Sequence, residues 1–362
     1  MTPSHVRSYP YNTEEFYEEY PMAWAAYTPG QENIQVVPTG LSLSTMSLVK
    51  YNLYYDILNM PKDAKIYTTD VYVYDHDPAT AATFDPLETQ LATYTGQGSS
   101  YVAQTTGCAA KQMGDLRWFE PYVLLEDGSM YYDRVVTSSV ANYAQKILQG
   151  NYSDKMKSLA VAMLSYGAAA QTYFDYRADA LVNRSLKEDQ AVLADAFRQD
   201  MLVEDVIPDT TKTVEFALSA DGSGDCALSV SLDDALAINY YYMPTYTPDE
   251  GSVKLYFWSY DTFWGEDMTT ADNADIVLDM IDIGDGWYME SITGMAARQI
   301  DDTMYVSMTY TSGGKSYCSG TVPHSINSYC ADLIKDADTD AERELAEAIV
   351  VYGYYADAYF DR

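Results

Sequence analysis

"AMLSYGAAAQTYF" occupies residues 162–174 and "AIVVYGYYADAYF" occupies residues 348–360. Laid over each other, they put Tyr166 on Tyr352 and Gly167 on Gly353, an offset of 352 − 166 = 186. Leu159, Met163, Tyr166, Ala170 and Tyr173 recur as Leu345, Ile349, Tyr352, Ala356 and Tyr359, in steps of four, three, four and three. That spacing draws one apolar face of an α-helix. Glycine inside a helix costs about 1 kcal/mol against alanine, so Gly167 and Gly353 predict the close approach of a neighbouring element. The stretch reads as scaffold, repeated, and not as a site.

Three further landmarks keep that offset to within one residue. "LSLSTMSLVKYNLYYDI" (41–57) lines up with "LSVSLDDALAINYYYMP" (228–244), and "GCAAKQMGD" (107–115) with "GMAARQIDD" (294–302), at 239 − 52 = 187 and 294 − 107 = 187. "SVANYAQKIL" (139–148) meets "SINSYCADLI" (325–334) at 325 − 139 = 186. The chain therefore reads as a tandem duplication. Each copy begins with alternating Tyr, Val and Ile, as half-buried strands do, and carries a hairpin, turning at Asp127-Gly128 in one and near Gly313-Gly314 in the other. Ser139 and Ser325 stand where a helix N-cap belongs, and Ser153 and Thr339 cap the last helix, Thr339 with Glu342 in a capping box. The fold class is α+β: two homologous modules, each a mainly antiparallel β-sheet or sandwich followed by a C-terminal helix pair. The expected organisation is an N-terminal arm (1–33) docking through Phe16, Trp24 and Tyr27, a first module (34–176), a helical connector (177–212) with a boundary near 209, and a second module (213–362).

The chain's 54 Asp and Glu against 21 Lys and Arg give a net charge of −33, which repels nucleic-acid phosphates and anionic membrane surfaces alike. No stretch approaches the ~20 apolar residues that span a bilayer, so nucleic acid and membrane insertion are set aside as partners. "MTPSHVRSYPYNTEEFYEEYP" (1–21) lacks the apolar core of a signal peptide. The excess of tyrosine, 36 residues, over lysine and arginine is nonetheless associated with exported bacterial surface proteins. Cys108, Cys226, Cys318 and Cys330 have no zinc-ligand spacing; Cys318 and Cys330 are spaced for a disulfide, though separate buried thiols are the preferred reading.

In their order, "LVKYNLYYDI", "AAKQMGD", "VANYAQKIL" and "AMLSYGAAAQTYF" resemble a repeated module of large secreted and cell-surface proteins of gut-dwelling Firmicutes. The resemblance covers most of each copy, 34–176 and 213–361. Such modules sit beside wall-attachment, dockerin or carbohydrate-active parts, which implies an extracellular, cell-surface location and a non-catalytic role. The second copy departs at "AARQIDD" (296–302) and "YGYYAD" (352–357).

Positions alike in both copies serve the shared fold, so divergent loops are where a function is sought. After the third strand the first copy continues as "HDPATAATFDP" (76–86) and the second as "TFWGEDMTTADNAD" (262–275). Phe263 and Trp264, with Tyr260, Glu266 and Asp267, form the candidate ligand site: exposed rings stack on sugar faces while acids bond hydroxyls. The commoner arrangement, with Trp264 folded back over its own sheet, stands against it, and Trp258 and Trp287 lean further toward core.

Asp336, Asp338, Asp340 and Glu347 have EF-hand spacing, but Ala341 replaces the turn glycine and the helix-start reading wins. Asp75 with Asp77, and Asp221 with Asp225, are acidic turns in which calcium is the ion to consider, a solvated turn being the commoner case. Enzyme signatures are missing: His5, His76 and His324 lack partner motifs, no G-x-S-x-G occurs, and "SGGKS" (312–316) belongs to a hairpin turn. No carboxylate pair for glycoside hydrolysis stands out. The expected partner is a glycan or a surface protein, without cofactor; the second reading is a structural spacer with no ligand of its own, and a glycoside-active enzyme ranks third.

Overall fold

The structure is a computed structural model that describes residues 33–44, 49–81, 84–132, 135–205, 224–231, 236–264 and 271–360. The N-terminal arm expected over 1–33 therefore lies almost wholly outside the described residues, as do 206–223, which include the boundary expected near 209.

Among the described residues the first half has nine strands: β1 (Gln35–Ser44), β2 (Lys50–Leu58), β3 (Ile66–Tyr74), β4 (Glu88–Leu91), β5 (Thr93–Tyr94), β6 (Ser100–Gln104), β7 (Arg117–Leu125), β8 (Met130–Tyr132) and β9 (Val136–Ser138). They form two antiparallel sheets, ordered β1-β2-β6-β5 and β4-β3-β7-β8, with β9 also on β7. The second half has β10 (Gly224–Ser231), β11 (Ala237–Pro244), β12 (Lys254–Trp258), β13 (Ile276–Asp279), β14 (Ile281–Gly284), β15 (Trp287–Thr293), β16 (Met304–Ser312), β17 (Lys315–Cys318) and β18 (Val322–His324). Its sheets are ordered β10-β11-β15-β14 and β13-β12-β16-β17, with β18 also on β16. The two sheet pairs have the same strand order.

Alternation produces the core. Strand β2 buries Tyr51, Leu53, Tyr55 and Ile57, every second residue, as a one-sided strand must. Across the sandwich, the Tyr51 ring lies 5.1 Å from Phe119 and the Tyr55 hydroxyl sits 2.7 Å from Thr69 Oγ1. Strands β7 and β16 are instead buried almost continuously. Their outward side chains lie under an aromatic layer, with Tyr72 stacked on Tyr122 at 4.4 Å in one half and Phe263 on Tyr305 at 3.9 Å in the other. Tyrosine suits such a layer because its ring covers the sheet while its hydroxyl finds a partner, as Tyr74 does on Glu120 Oε2 at 2.9 Å.

The hairpins turn where the sequence places them. Gly128 has φ 85°, and Gly313 and Gly314 have φ 57° and 76°, the left-handed pair that a tight two-residue turn requires. "SGGKS" is thus a hairpin turn in the structure as well.

Each half ends in a helix pair: α1 (Val140–Gln149) and α2 (Asp154–Tyr173) in the first, and, after two short helices, α3 (Glu188–Ala191) and α4 (Tyr260–Trp264), α5 (Ile326–Asp336) and α6 (Asp340–Phe360) in the second. The caps are the expected ones: Ser139 Oγ accepts from Asn142 N, Ser153 Oγ from Met156 N, Ser325 Oγ from Ser328 N and Thr339 Oγ1 from Glu342 N. Each contributes about 1 kcal/mol.

Helix α2 is buried over far more than one face, because α6 packs along it in addition to α1 and the short 3-10 turn at Ala110–Gln112. The predicted stripe is buried except at its end, where Tyr173 is 42% exposed. Both glycines sit where a short 3-10 turn touches the helix. A Cβ on Gly167 would lie 2.9 Å from Val182 Cγ1 and 3.0 Å from Met113 Sδ, and one on Gly353 would lie 2.8 Å from Ile300 Cβ. Met113 and Ile300 are counterparts at the same offset, 300 − 113 = 187.

The segment 177–212 departs from its reading as a helical connector. Within its described part, helix is confined to α3 and the 3-10 turn Gln199–Met201. Hydrogen bonds to the neighbouring helices replace those of a regular helix: Val182 N donates to Gln171 Oε1, Ser158 Oγ to Leu193 O, Asp195 N to Tyr355 Oη and Val203 N to Asn327 Oδ1. A strap tied to both halves can adopt turns that the local helical pattern did not announce.

Candidate functional site

The predicted aromatic site resolves into a one-turn helix and not an open turn. Ser259 starts it, its carbonyl accepting from Phe263 N at 2.9 Å. Asp275 then fixes the turn, accepting from Ser259 N at 2.6 Å and from Thr262 Oγ1 at 2.7 Å. The geometry drives Phe263 inward, where it is fully buried between Trp258 and Tyr305. Phe263 is therefore core and not a stacking platform, because the outer face of its sheet needs a cover. Trp264 is half-buried and donates from Nε1 to Tyr305 Oη at 2.7 Å, the folded-back arrangement. Tyr260 remains 43% exposed, its ring 6.4 Å from that of Trp264. Glu266 and Asp267 lie outside the described residues. Trp258 is buried and Trp287 half-buried.

The acidic turns are engaged by their own neighbours. Asp75 Oδ1 lies 2.8 Å from His76 Nδ1, which holds the Asp75 carboxyl below its usual range and raises the imidazole. Asp77 Oδ1 accepts from Ala79 N at 2.8 Å, an Asx turn. Asp225 is exposed on β10, and Asp221 lies outside the described residues. Among the described residues, no three His, Cys, Asp or Glu side chains are gathered to hold a metal. Cys318 and Cys330 are both free thiols; Cys330 is buried, and burial pushes it up to about 12.

A cleft that sequence reasoning missed opens in the first half. It encloses about 1000 Å³, the upper end of the range for small-ligand sites, and is lined by Asp75, Glu88, Asp115, Arg117, Arg177 and Arg184 among others. Each arginine is placed by a separate local device. Arg117 opens β7, paired with Ser138 of β9. After α2 the chain turns through two left-handed residues, Asp175 at φ 50° and Arg177 at φ 49°. This turn carries the Tyr176 hydroxyl to Asp115 Oδ2 at 2.6 Å and Arg177 Nη1 to Asp115 Oδ1 at 3.1 Å. Asp115 is only 6% exposed, so its negative charge is held by a guanidinium and a phenol. Arg184 follows Val182, whose amide bonds Gln171 Oε1 at 2.7 Å and whose side chain packs on Gly167 and Gly114.

Neither Arg117 nor Arg184 is ion-paired with a described carboxylate; Arg117 Nη1 donates only to the Leu116 carbonyl, at 3.2 Å. Trp118, also on the cleft wall, has a buried indole N–H with no hydrogen-bond partner among the described residues. The second half does not repeat this chemistry: the counterpart of Arg117 is Met304, 2% exposed, and that of Trp118 is Tyr305, which α4 covers. The signal was present in the sequence as the Arg117–Met304 disagreement beside a shared landmark. Nothing there placed Arg177 and Arg184 next to it. No family model matches the chain, and comparison with curated proteins gives no match.

Proposed function

We propose that the chain is a non-catalytic, exported surface protein of two homologous α+β modules, which binds a glycan or a partner protein where the modules differ. The observation that carries this reading is the division of labour between shared and divergent residues. Shared positions, Tyr166 and Tyr352 or Gly167 and Gly353, are spent on packing. Divergent positions leave groups at least partly accessible: the half-buried ring of Trp264, beside exposed Tyr260, in one half, and the guanidiniums of Arg117 and Arg184 in the other. The same strand order in both sheet pairs supports the duplication. The reading requires no cofactor.

A glycan array on the whole chain tests it, with retention by at least one glycan class expected. The spacer reading has its own support, since the strap and the packed terminal helices join the halves along their length. Retention by no polymer, with Trp264→Ala and Arg117→Met both silent, would leave the spacer and remove the binding role. Turnover of a chromogenic glycoside panel would contradict the non-catalytic assignment.

A further inference from the structure

We infer that the first-half cleft is an anion-recognition site for a carboxylate-bearing sugar, with Arg117 and Arg184 on the carboxylate and the acidic wall on sugar hydroxyls. This deepens the glycan-binding reading and rests on it. In a chain of net charge −33, two arginines that line one cleft without an ion pair to a described carboxylate are out of keeping with their surroundings, Arg117 acting on Asp75 only through its field. Guanidinium binds carboxylate with two parallel hydrogen bonds, and neither Arg117 nor Arg184 has that capacity taken up by a described acid. Arg177 is different: it neutralises Asp115, 6% exposed, and so lets a buried carboxylate line the same cleft.

The remaining wall fits hydroxyls better than a second charge. Glu88 Oε2 accepts from Gln90 Nε2 at 2.7 Å and from Thr106 N at 3.1 Å, which fixes the carboxylate and leaves Oε1 as the acceptor. The Trp118 ring and the side chains of Thr105 and Thr106 complete the lining, Thr105 Oγ1 already accepting from Tyr51 N at 2.9 Å. Cationic donors with fixed carboxylate acceptors and an aromatic wall match a ring that bears one carboxylate and several hydroxyls, a uronic acid unit. The second half fills the position of Arg117 with Met304, so the anion site belongs to the first half alone.

The test is calorimetric titration of the full chain with tetragalacturonate, its methyl ester and a tetraglutamate peptide. Arg117→Met copies the residue that the other half carries in the same strand register, and Arg184→Gln alters an exposed turn, so both variants are expected to fold. Arg117→Lys keeps the charge without the fork. We expect tetragalacturonate to bind, the ester and the peptide to bind at least 10-fold more weakly, and each neutral variant to lose at least 10-fold, with Arg117→Lys between. Unchanged binding in both variants would overturn the cleft assignment while leaving glycan binding intact. Equal binding of the ester would overturn anion recognition, and equal binding of tetraglutamate would overturn the sugar. Binding of none of these, with a neutral glycan retained on an array, would overturn this inference alone; retention of nothing would overturn the parent reading too.

Discussion

Tyr166 lies face to face with Tyr352, its own counterpart 352 − 166 = 186 positions along the chain, with ring centroids 5.4 Å apart and planes 20° from parallel. A residue that meets its own counterpart marks a self-complementary contact, the kind a two-fold relation produces. The same relation recurs at the two ends of the helix pair. A cavity of about 250 Å³ sets Tyr173 and Phe174 against Val230, Leu345 and Ile349, and one of about 300 Å³ sets Tyr359 and Phe360 against Leu43, Leu159 and Met163.

The stacked pair predicts coupled losses. Tyr166→Ala and Tyr352→Ala should each cost about 3–5 kcal/mol in urea unfolding, as large aromatic truncations in a core do. The double variant should lose less than the sum by about 0.5–1.5 kcal/mol, the coupling expected of an aromatic pair. Strict additivity would mean that the rings do not support each other.

The two helix glycines should respond differently to the same change. Alanine normally stabilises a helix by about 1 kcal/mol over glycine. At Gly167 the new methyl would lie 2.9 Å from Val182 Cγ1, 3.0 Å from Met113 Sδ and 3.3 Å from the Ala110 carbonyl oxygen, and of these the flexible methionine end yields most readily. At Gly353 it would press on Ile300 Cβ and Cγ2, both 2.8 Å away and tied to the backbone. Gly353→Ala should therefore lower stability by about 1–3 kcal/mol and Gly167→Ala by less, measured as midpoints in urea.

The scaffold was legible in the sequence because its signals are local. Caps at Ser139, Ser153, Ser325 and Thr339, turns at Gly128 and Gly313, and the stripe through Tyr166 and Tyr352 all obey local rules of spacing and cap chemistry. What stayed hidden depends on distant contacts. Phe263 reads as loop because nothing near it in sequence says that the outer face of β16 needs covering. Residues 177–205 have a helical pattern, yet bonds to Gln171, Asn327 and Tyr355 hold them in turns. Arg177 and Arg184 come to Asp115 and Arg117 by the same route, through a strap whose path only the fold sets.

Two titratable groups, half-buried Asp301 and buried His324, predict opposing slopes of stability with pH. Burial raises Asp301 to about 6, against which the hydrogen bond from Asn327 Nδ2 acts only in part, with Asp357 and Asp302 adding repulsion. Folding then disfavours the charged form, so this contribution is full below the ordinary carboxyl range and is lost as pH rises toward about 6. Burial lowers His324 to about 4, so its contribution is lost as pH falls from 6.5 toward 4. Asp301→Asn should stabilise the protein at pH 7 by about 1–3 kcal/mol and give no gain near pH 4. Thermal unfolding of both proteins across that range checks the sign; a gain that is flat with pH would contradict it.

Thiol reactivity should split the cysteines in two. Cys108 and Cys330 are buried, and burial pushes both thiols up to about 12, so neither should react in the folded state at pH 8. Cys226 is exposed, though partial burial of its thiol also raises it and should slow its labelling, and Cys318 is half-buried. Reduced protein should label at those two positions under native conditions and at all four in denaturant, read by peptide mass mapping.

The proposed role of the divergent surface is tested most directly by affinity electrophoresis of the intact chain through native gels cast with acidic and neutral polysaccharides, beside Arg117→Met. Retardation of the wild type in a uronate-containing gel, reduced in the variant, is the predicted result. Equal mobility of both proteins in every gel and in the polymer-free control would contradict it.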